Sequence, residues 1–324
     1  MYPWLSHYWQ QWLAEFNQGR LAHAWLISGP TGMGKRELAG QMAAHVLCQH
    51  PGEQGPCGIC HACQLMGHGN HPDLLRIGEG SERSIGVDTI RELIAKVSGS
   101  AQLSGYKVVL LSRAEIMTEA AANALLKTLE EPPGRTLFVL QSAEPARLLP
   151  TILSRCQKLP MTTPELSQVL PWLHQQPEGR SASELHLRLN QYAPLRTLEY
   201  LGAGLDEKRR KLLEQVALVI QDPAMVARLA EQLLAAMPDS LDWLARLLLD
   251  ALKAQSGCPA AQWAMADKPE VVRALSLLPT AKLIAAQQAL LDLKTPEPMP
   301  SSVPSLQFTQ WCHHYLVEEK NRAR

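Results

Sequence analysis

The sequence predicts an α/β domain built on a parallel sheet, followed by helical domains. Three observations predict it. Near-continuous apolar runs recur at 24–28, 108–111 and 137–140, as expected of strands buried on both faces. Segments of helical periodicity separate them. After Pro160 the strand-like runs stop, and Leu/Ala-rich helical patterns continue to the C-terminus.

In chain order, Tyr8, Trp9, Trp12, Leu13 and Phe16 fall on one helical stripe. Ala24 to Ser28 is a short strand, and a Gly-rich turn follows. Lys35 to Gln49 reads as a helix with Leu38, Met42 and Val46 on one side. Leu74 to Ile77 is a candidate strand. Val87, Ile90, Ile94 and Val97 mark the next helix, and Val108 to Leu111 the next strand. Ala120 to Glu131 is a helix stopped by Pro132-Pro133, because proline disfavours helix in the residue before it. Leu137 to Leu140 is the last strand. Strands alternating with helices give a parallel sheet.

Beyond Pro160, helical patterns cover Glu165 to Gln175, Ala182 to Tyr192 and Leu195 to Leu201. Gly202-Ala203-Gly204 reads as a linker. The remainder is helical, for example Leu241 to Lys253. A Pro-rich loop, Thr295 to Pro304, precedes a last helix around Gln307 to Glu319. The expected domains are 1–160, with an insertion at 48–63, then a small helical domain 161–204 and an all-α domain 205–324.

The 324 residues carry 31 Lys+Arg and 31 Asp+Glu, a formal net charge of zero. Phosphate neutralisation supplies much of DNA affinity, so this balance argues against tight DNA binding by the chain alone. No apolar run approaches the roughly 18 residues of a membrane span. Met1-Tyr2-Pro3-Trp4 opens no secretory signal. A cytoplasmic chain without a membrane partner is the expectation.

Gly29-Pro30-Thr31-Gly32-Met33-Gly34-Lys35 matches G-x-x-x-x-G-K between a strand and a helix. Such a loop wraps backbone N–H groups around phosphate oxygens, with Lys35 at the β/γ-phosphates. Gly29, Gly32, Gly34 and Lys35 are therefore the candidate nucleotide residues. The eighth position should supply a Ser or Thr hydroxyl to Mg²⁺, but it is Arg36, a fixed cation with no acceptor. A second strand should end in a carboxylate for the same metal. Here Val108 to Leu111 runs into Ser112-Arg113, and Glu115 would need a shifted register to substitute. With both metal contacts missing, ATP binding without hydrolysis is what the loop permits.

Seven cysteines include Cys57-x₂-Cys60-x₂-Cys63, with Cys48 nine residues upstream of Cys57. Four thiolates suit a closed tetrahedral zinc site. His50 and His61 are alternative ligands. A site of this kind is structural, since it leaves no open position for chemistry and stabilises a segment with little core of its own. Cys156, Cys258 and Cys312 read as packing residues.

Together with Ala120 to Pro133 and Leu153-Ser154-Arg155-Cys156, these motifs resemble the bacterial clamp-loader subunits of the AAA+ class, which serve DNA polymerase III in DNA replication. The specific motifs cover residues 1 to about 160. The missing Mg²⁺ contacts resemble the family's non-hydrolysing kind of subunit and not its gamma/tau motor subunits. The resemblance implies an AAA+ domain at 1–160, a lid at 161–204 and an oligomerisation collar at 205–324. It implies a hetero-oligomeric stator that works with gamma/tau motor subunits and a clamp-opening delta subunit to load a sliding clamp onto primed DNA. It also implies that Arg155 acts at a neighbour's ATP as an arginine finger, the other reading being an Arg that caps the helix-to-strand turn. Arg196 lies near a second phosphate-sensing position, and Gln141-Ser142 approximates a polar sensor. Lys127 and Glu130 read as a solvated face.

Two other functions fit the sequence less well. A motor ATPase is opposed by Arg36 and Ser112-Arg113. A zinc-dependent single-stranded DNA module is opposed by the Trp residues, such as Trp9, Trp12 and Trp243, which sit on helical stripes and not on a basic strand platform.

Overall fold

In the computed structural model, the described residues are all but 81–82, 104, 238, 294–302 and 318–324, and the side chains of 303–305 are also not described. Contacts divide the chain into two compact units, 1–180 with 190–197, and 181–189 with 198–324. The segment 161–204, expected as a lid, is shared between them.

The first unit holds a five-stranded parallel sheet. Its strands are β1 (Ala24–Ser28), β2 (Leu74–Ile77), β3 (Lys107–Leu111), β4 (Thr136–Ser142) and β5 (Gln157–Pro160), in the order β2-β3-β4-β1-β5. This is the α/β, AAA+-like arrangement expected. The apolar runs occupy the centre: every residue of β4 is buried, as are four of five in β1. The fifth strand escaped the sequence reading because Gln157, Lys158 and Pro160 are exposed and only Leu159 is buried. An edge strand needs a single paired side, so polar residues and a terminal proline suit it.

Six helices accompany the sheet up to β5: α1 (Ser6–Asn17), α2 (Lys35–Leu47), α3 (His61–Gly67), α4 (Val87–Ser98), α5 (Glu119–Glu130) and α6 (Pro150–Leu153). Leu26, Val109, Leu111, Phe138 and Leu140 meet Ile90, Leu93 and Val97 of α4 and Leu125 and Leu129 of α5 in one core. Alternate strand residues thus feed one face. Thr118 caps α5 by accepting from the Ala121 N–H at 3.2 Å, as N-cap hydroxyls do. The chain continues through α7 (Leu166–Gln175).

The other helices are α8 (Glu184–Leu189), α9 (Pro194–Gly202), α10 (Leu205–Gln221), α11 (Val226–Ala235), α12 (Asp239–Gln255), α13 (Pro269–Ser276), α14 (Thr280–Asp292) and α15 (Val303–Tyr315). Most of the Pro-rich loop expected at 295–304 lies outside the described residues, and Pro304 falls in the first turn of α15. Leu212, Leu229, Leu244, Val272, Leu290 and Trp311 share the core of the second unit. Within it, Arg209 is fully buried, 2.9 Å from Asp206 and 2.6 Å from Asp267. Burial works against the charge on Asp206, but His186 and Arg209 hold its carboxyl well below the usual range. Among the described residues, no single helix is long and apolar enough to cross a membrane.

Candidate functional site

Three features carry chemistry: the phosphate loop, the cysteine cluster and the turn before β5. The loop leaves the C-terminal end of β1 and opens α2. Gly29, Gly32 and Gly34 all have φ between +86° and +151°, which side chains resist. A Cβ on Gly32 would meet the Arg196 backbone nitrogen at 2.6 Å, and the Leu195 N–H donates to the Gly32 carbonyl at 3.0 Å. The start of α9 therefore grips the loop by its backbone. From the other side, the Trp4 indole N–H donates to the Met33 carbonyl at 2.9 Å.

Lys35 Nζ donates to the Gly29 and Pro30 carbonyls at 2.5 and 2.8 Å. Burial lowers its pKa to about 8, and Glu115 opposes that shift by its charge. Glu115 stands in a turn of 3₁₀ helix at Ala114–Ile116, close enough for its charge to act on Lys35. One of its oxygens accepts from the Ala143 N–H at 3.3 Å, and the other is buried without a hydrogen-bond partner. Ser112 Oγ and Gln141 Nε2 are also buried and unpartnered.

The two arginines in the metal-contact positions are engaged elsewhere. Arg36 pairs with Glu79 at 3.0 Å and lines a cleft of about 980 Å³ together with Arg76, Met66 and Cys63. Arg113, with φ +50°, donates to the carbonyls of Gly78 and Gly80 at 3.3 and 2.7 Å.

The Sγ atoms of Cys48, Cys57, Cys60 and Cys63 all lie within 4.8 Å of one another. Two pairs, 48/60 and 57/63, are 3.9 Å apart. Thiolates about 2.3 Å from a tetrahedral ion would be spaced by roughly 3.8 Å, so the cluster could hold a zinc-sized ion. Backbone N–H groups of Cys57, Cys60 and Cys63 point at sulfurs at 3.3 to 3.4 Å, a second shell that steadies thiolate charge. His50 and His61 are not part of the group. Cys48 ends α2 and Cys60 caps α3, a helix absent from the sequence reading. The intervening loop is tied to α1 by the Trp9 indole, which donates to the Gln54 carbonyl at 3.1 Å.

Arg155 sits between α6 and β5. Its Nε donates to Glu130 Oε1 at 2.8 Å, and Nη2 reaches the same oxygen. Its Nη1 donates to the Thr151 carbonyl at 2.8 Å, so the capping role weighed for this residue is present. Glu130 is exposed, as expected of a solvated face, and is also the partner of Arg155. Register pairs Trp25 with Gln157 and Ser28 with Pro160. Arg155 therefore precedes β5 at the N-terminal ends of these two neighbouring parallel strands, whereas the phosphate loop follows β1 at their C-terminal ends.

The family "DNA polymerase III, delta subunit" matches residues 4–165, and its C-terminal counterpart matches residues 203–314. A Pseudomonas aeruginosa relative named DNA polymerase III subunit delta' is 39% identical over 297 residues, 90% of either chain. The chain belongs to the delta' family of DNA polymerase III subunits. The delta' protein of Escherichia coli K12 is 38% identical over 277 residues, 85% of this chain and 82% of that one. Among solved structures, a gamma subunit-related DNA polymerase III protein from Thermotoga maritima aligns with 94% of this chain and 99% of its own, at 18% identity and a TM-score of 0.47.

Proposed function

We propose that this delta' chain is a non-hydrolysing stator of the DNA polymerase III clamp loader that supplies Arg155 to a neighbouring ATPase. The observation that carries this reading is the separation of Arg155 from the chain's own phosphate loop. Arg155 lies two residues before Gln157, the partner of Trp25, and Gly29 lies four residues beyond Trp25. The paired stretch between them, Trp25 to Ser28, is three strand steps of about 3.3 Å, roughly 10 Å, and both groups lie beyond its ends, out of reach of one side chain. An arginine that acts on a nucleotide from this position acts on another subunit's. There it would stabilise charge on the transferring phosphoryl group.

Arg36 and Ser112-Arg113 support the non-hydrolysing half, because neither metal contact is supplied in its usual place. The remaining assignments follow the same reading. The partners are gamma/tau motor subunits and a delta subunit, with the sliding clamp and primed DNA engaged by the assembly. Residues 205–324 form the collar and 161–204 the lid. Zinc held by the four cysteines is structural, and the chain is cytoplasmic.

The test has two parts. The purified chain with Mg²⁺ and primed DNA should turn over ATP no faster than buffer. A complex carrying Arg155→Ala should assemble normally but lose DNA-stimulated turnover by at least about a hundredfold at the dependent site. Undiminished turnover removes Arg155 from the mechanism. A second reading has one observation in its favour: the unpartnered Glu115 oxygen beside Lys35 offers a carboxylate where a metal would sit. Clear turnover by the chain alone, abolished by Glu115→Gln, would establish it as a motor.

A further inference from the structure

We propose that Glu130 is a positioning residue for Arg155, holding its guanidinium in the orientation that meets a neighbouring subunit's nucleotide. The proposal rests on the trans role of Arg155 given above. A guanidinium has five N–H groups in a planar fork. Four contacts hold this one: Nε and Nη2 to Glu130, and Nη1 to the Thr151 carbonyl and the Ser154 hydroxyl oxygen. One N–H on Nη2 is left for an incoming oxygen. The carboxylate takes the Nε side of the fork, so a phosphate can be met without Glu130 letting go.

Both ends of the pair stand on rigid ground. Glu130 ends α5, whose Leu125 and Leu129 are fully buried and whose continuation Pro132-Pro133 forbids. Arg155 is followed by Cys156, which is buried in the same core. Ser154 donates its hydroxyl to the Thr151 carbonyl at 3.0 Å and so fixes the acceptor that receives Nη1. The arginine side chain nevertheless stays 31% exposed. A cation held on three sides and open on the fourth suits preorganised charge stabilisation, where the donor is in place before charge develops. A merely solvated glutamate would make none of these contacts.

The experiment uses the reconstituted complex with its motor subunits, ATP and primed DNA. Glu130→Gln, Glu130→Asp, Arg155→Ala and the double variant Glu130→Gln/Arg155→Ala are compared. Glu130→Gln should lower kcat about tenfold and leave KM for ATP within about twofold, as expected for lost orientation. Glu130→Asp, which keeps the charge on a shorter arm, should recover part of the loss. In the Arg155→Ala background Glu130→Gln should change nothing further. Because Glu130 is 47% exposed, the variants should assemble like the parent. Unchanged or faster turnover in Glu130→Gln overturns the proposal, as does a Glu130 effect that persists without Arg155. If Arg155→Ala slows turnover and Glu130→Gln does not, the trans role stands and the positioning role falls. If Arg155→Ala has no effect, both fall.

Discussion

Arg36 Nη2 lies 3.0 Å from Glu79 Oε2, and Arg76 holds the other oxygen of that carboxylate at 3.0 Å. The residue at the eighth position of the phosphate loop is thus paired with a carboxylate just beyond β2. Because two contacts are missing, restoring one should not suffice. Arg36→Thr alone should leave nucleotide binding indifferent to Mg²⁺. Arg36→Thr with Ser112→Asp should bind nucleotide about tenfold tighter in Mg²⁺ than in chelator, roughly 1.4 kcal/mol. Calorimetric titration distinguishes the two, and a double variant indifferent to Mg²⁺ would refute the metal-contact assignment.

The cysteine cluster predicts about one zinc per chain by metal analysis. Chelation or Cys60→Ser should raise amide exchange across 48–67 on the order of a hundredfold while the central strands β1 and β4 stay protected. Trp9 fluorescence should shift with it, because its indole is bonded to the Gln54 carbonyl in this loop. A metal-free chain with undisturbed protection would make the cysteines mere packing residues.

Lys35 has a folded pKa of about 8 against 10.5 unfolded, from burial. Below pH 8 it is charged in both states, and the native state bears the full cost of burying that charge. Between about 8 and 10.5 the unfolded chain binds more protons, so stability rises with pH. The stability of wild type relative to Lys35→Met should therefore climb across this window. A flat difference in urea midpoints from pH 8 to 10.5 would contradict the burial.

Arg209→Met should remove the buried cation that Asp206 and Asp267 share, leaving Asp206 to Arg210 and His186, and cost about 3–5 kcal/mol at neutral pH. Its deficit should shrink as pH falls below 3.8, the ordinary Asp value, because the unfolded chain then takes up a proton that the native Asp206 carboxyl, held lower by His186 and Arg209, resists, so wild type loses the stability that pairing gave it. Urea unfolding at the two pH values checks both statements. A loss under 1 kcal/mol would mean the network contributes nothing net.

What was legible followed from local physics. β1, β3 and β4 are apolar on both faces, and the glycines and Lys35 sit at fixed spacing, so strand, loop and helix could be read from residue types. The edge strand β5 could not, because Gln157 and Lys158 are exposed and nothing in Q-K-L-P alternates. Helix α3 was hidden because its order comes from Cys60 as a cap and from the cluster of sulfurs, not from an apolar stripe. The partnership of Glu130 with Arg155 spans 25 residues and arises only when α5 and α6 pack. The 3₁₀ turn that holds Glu115 follows β3 directly and has no apolar stripe or cap to announce it.

Parallel strands give a subunit a direction. β1 delivers the loop at the C-terminal ends of the strands, and β5 begins at their N-terminal ends, just after Arg155. If Arg155 serves a neighbour as proposed, subunits with this layout would meet head to tail, each arginine against the next loop, an arrangement with no built-in end. On the function proposed here, a member whose loop lacks its metal contacts supplies an arginine and has no use for one in return. It is the terminus of the row, and its presence fixes where the series of working sites begins.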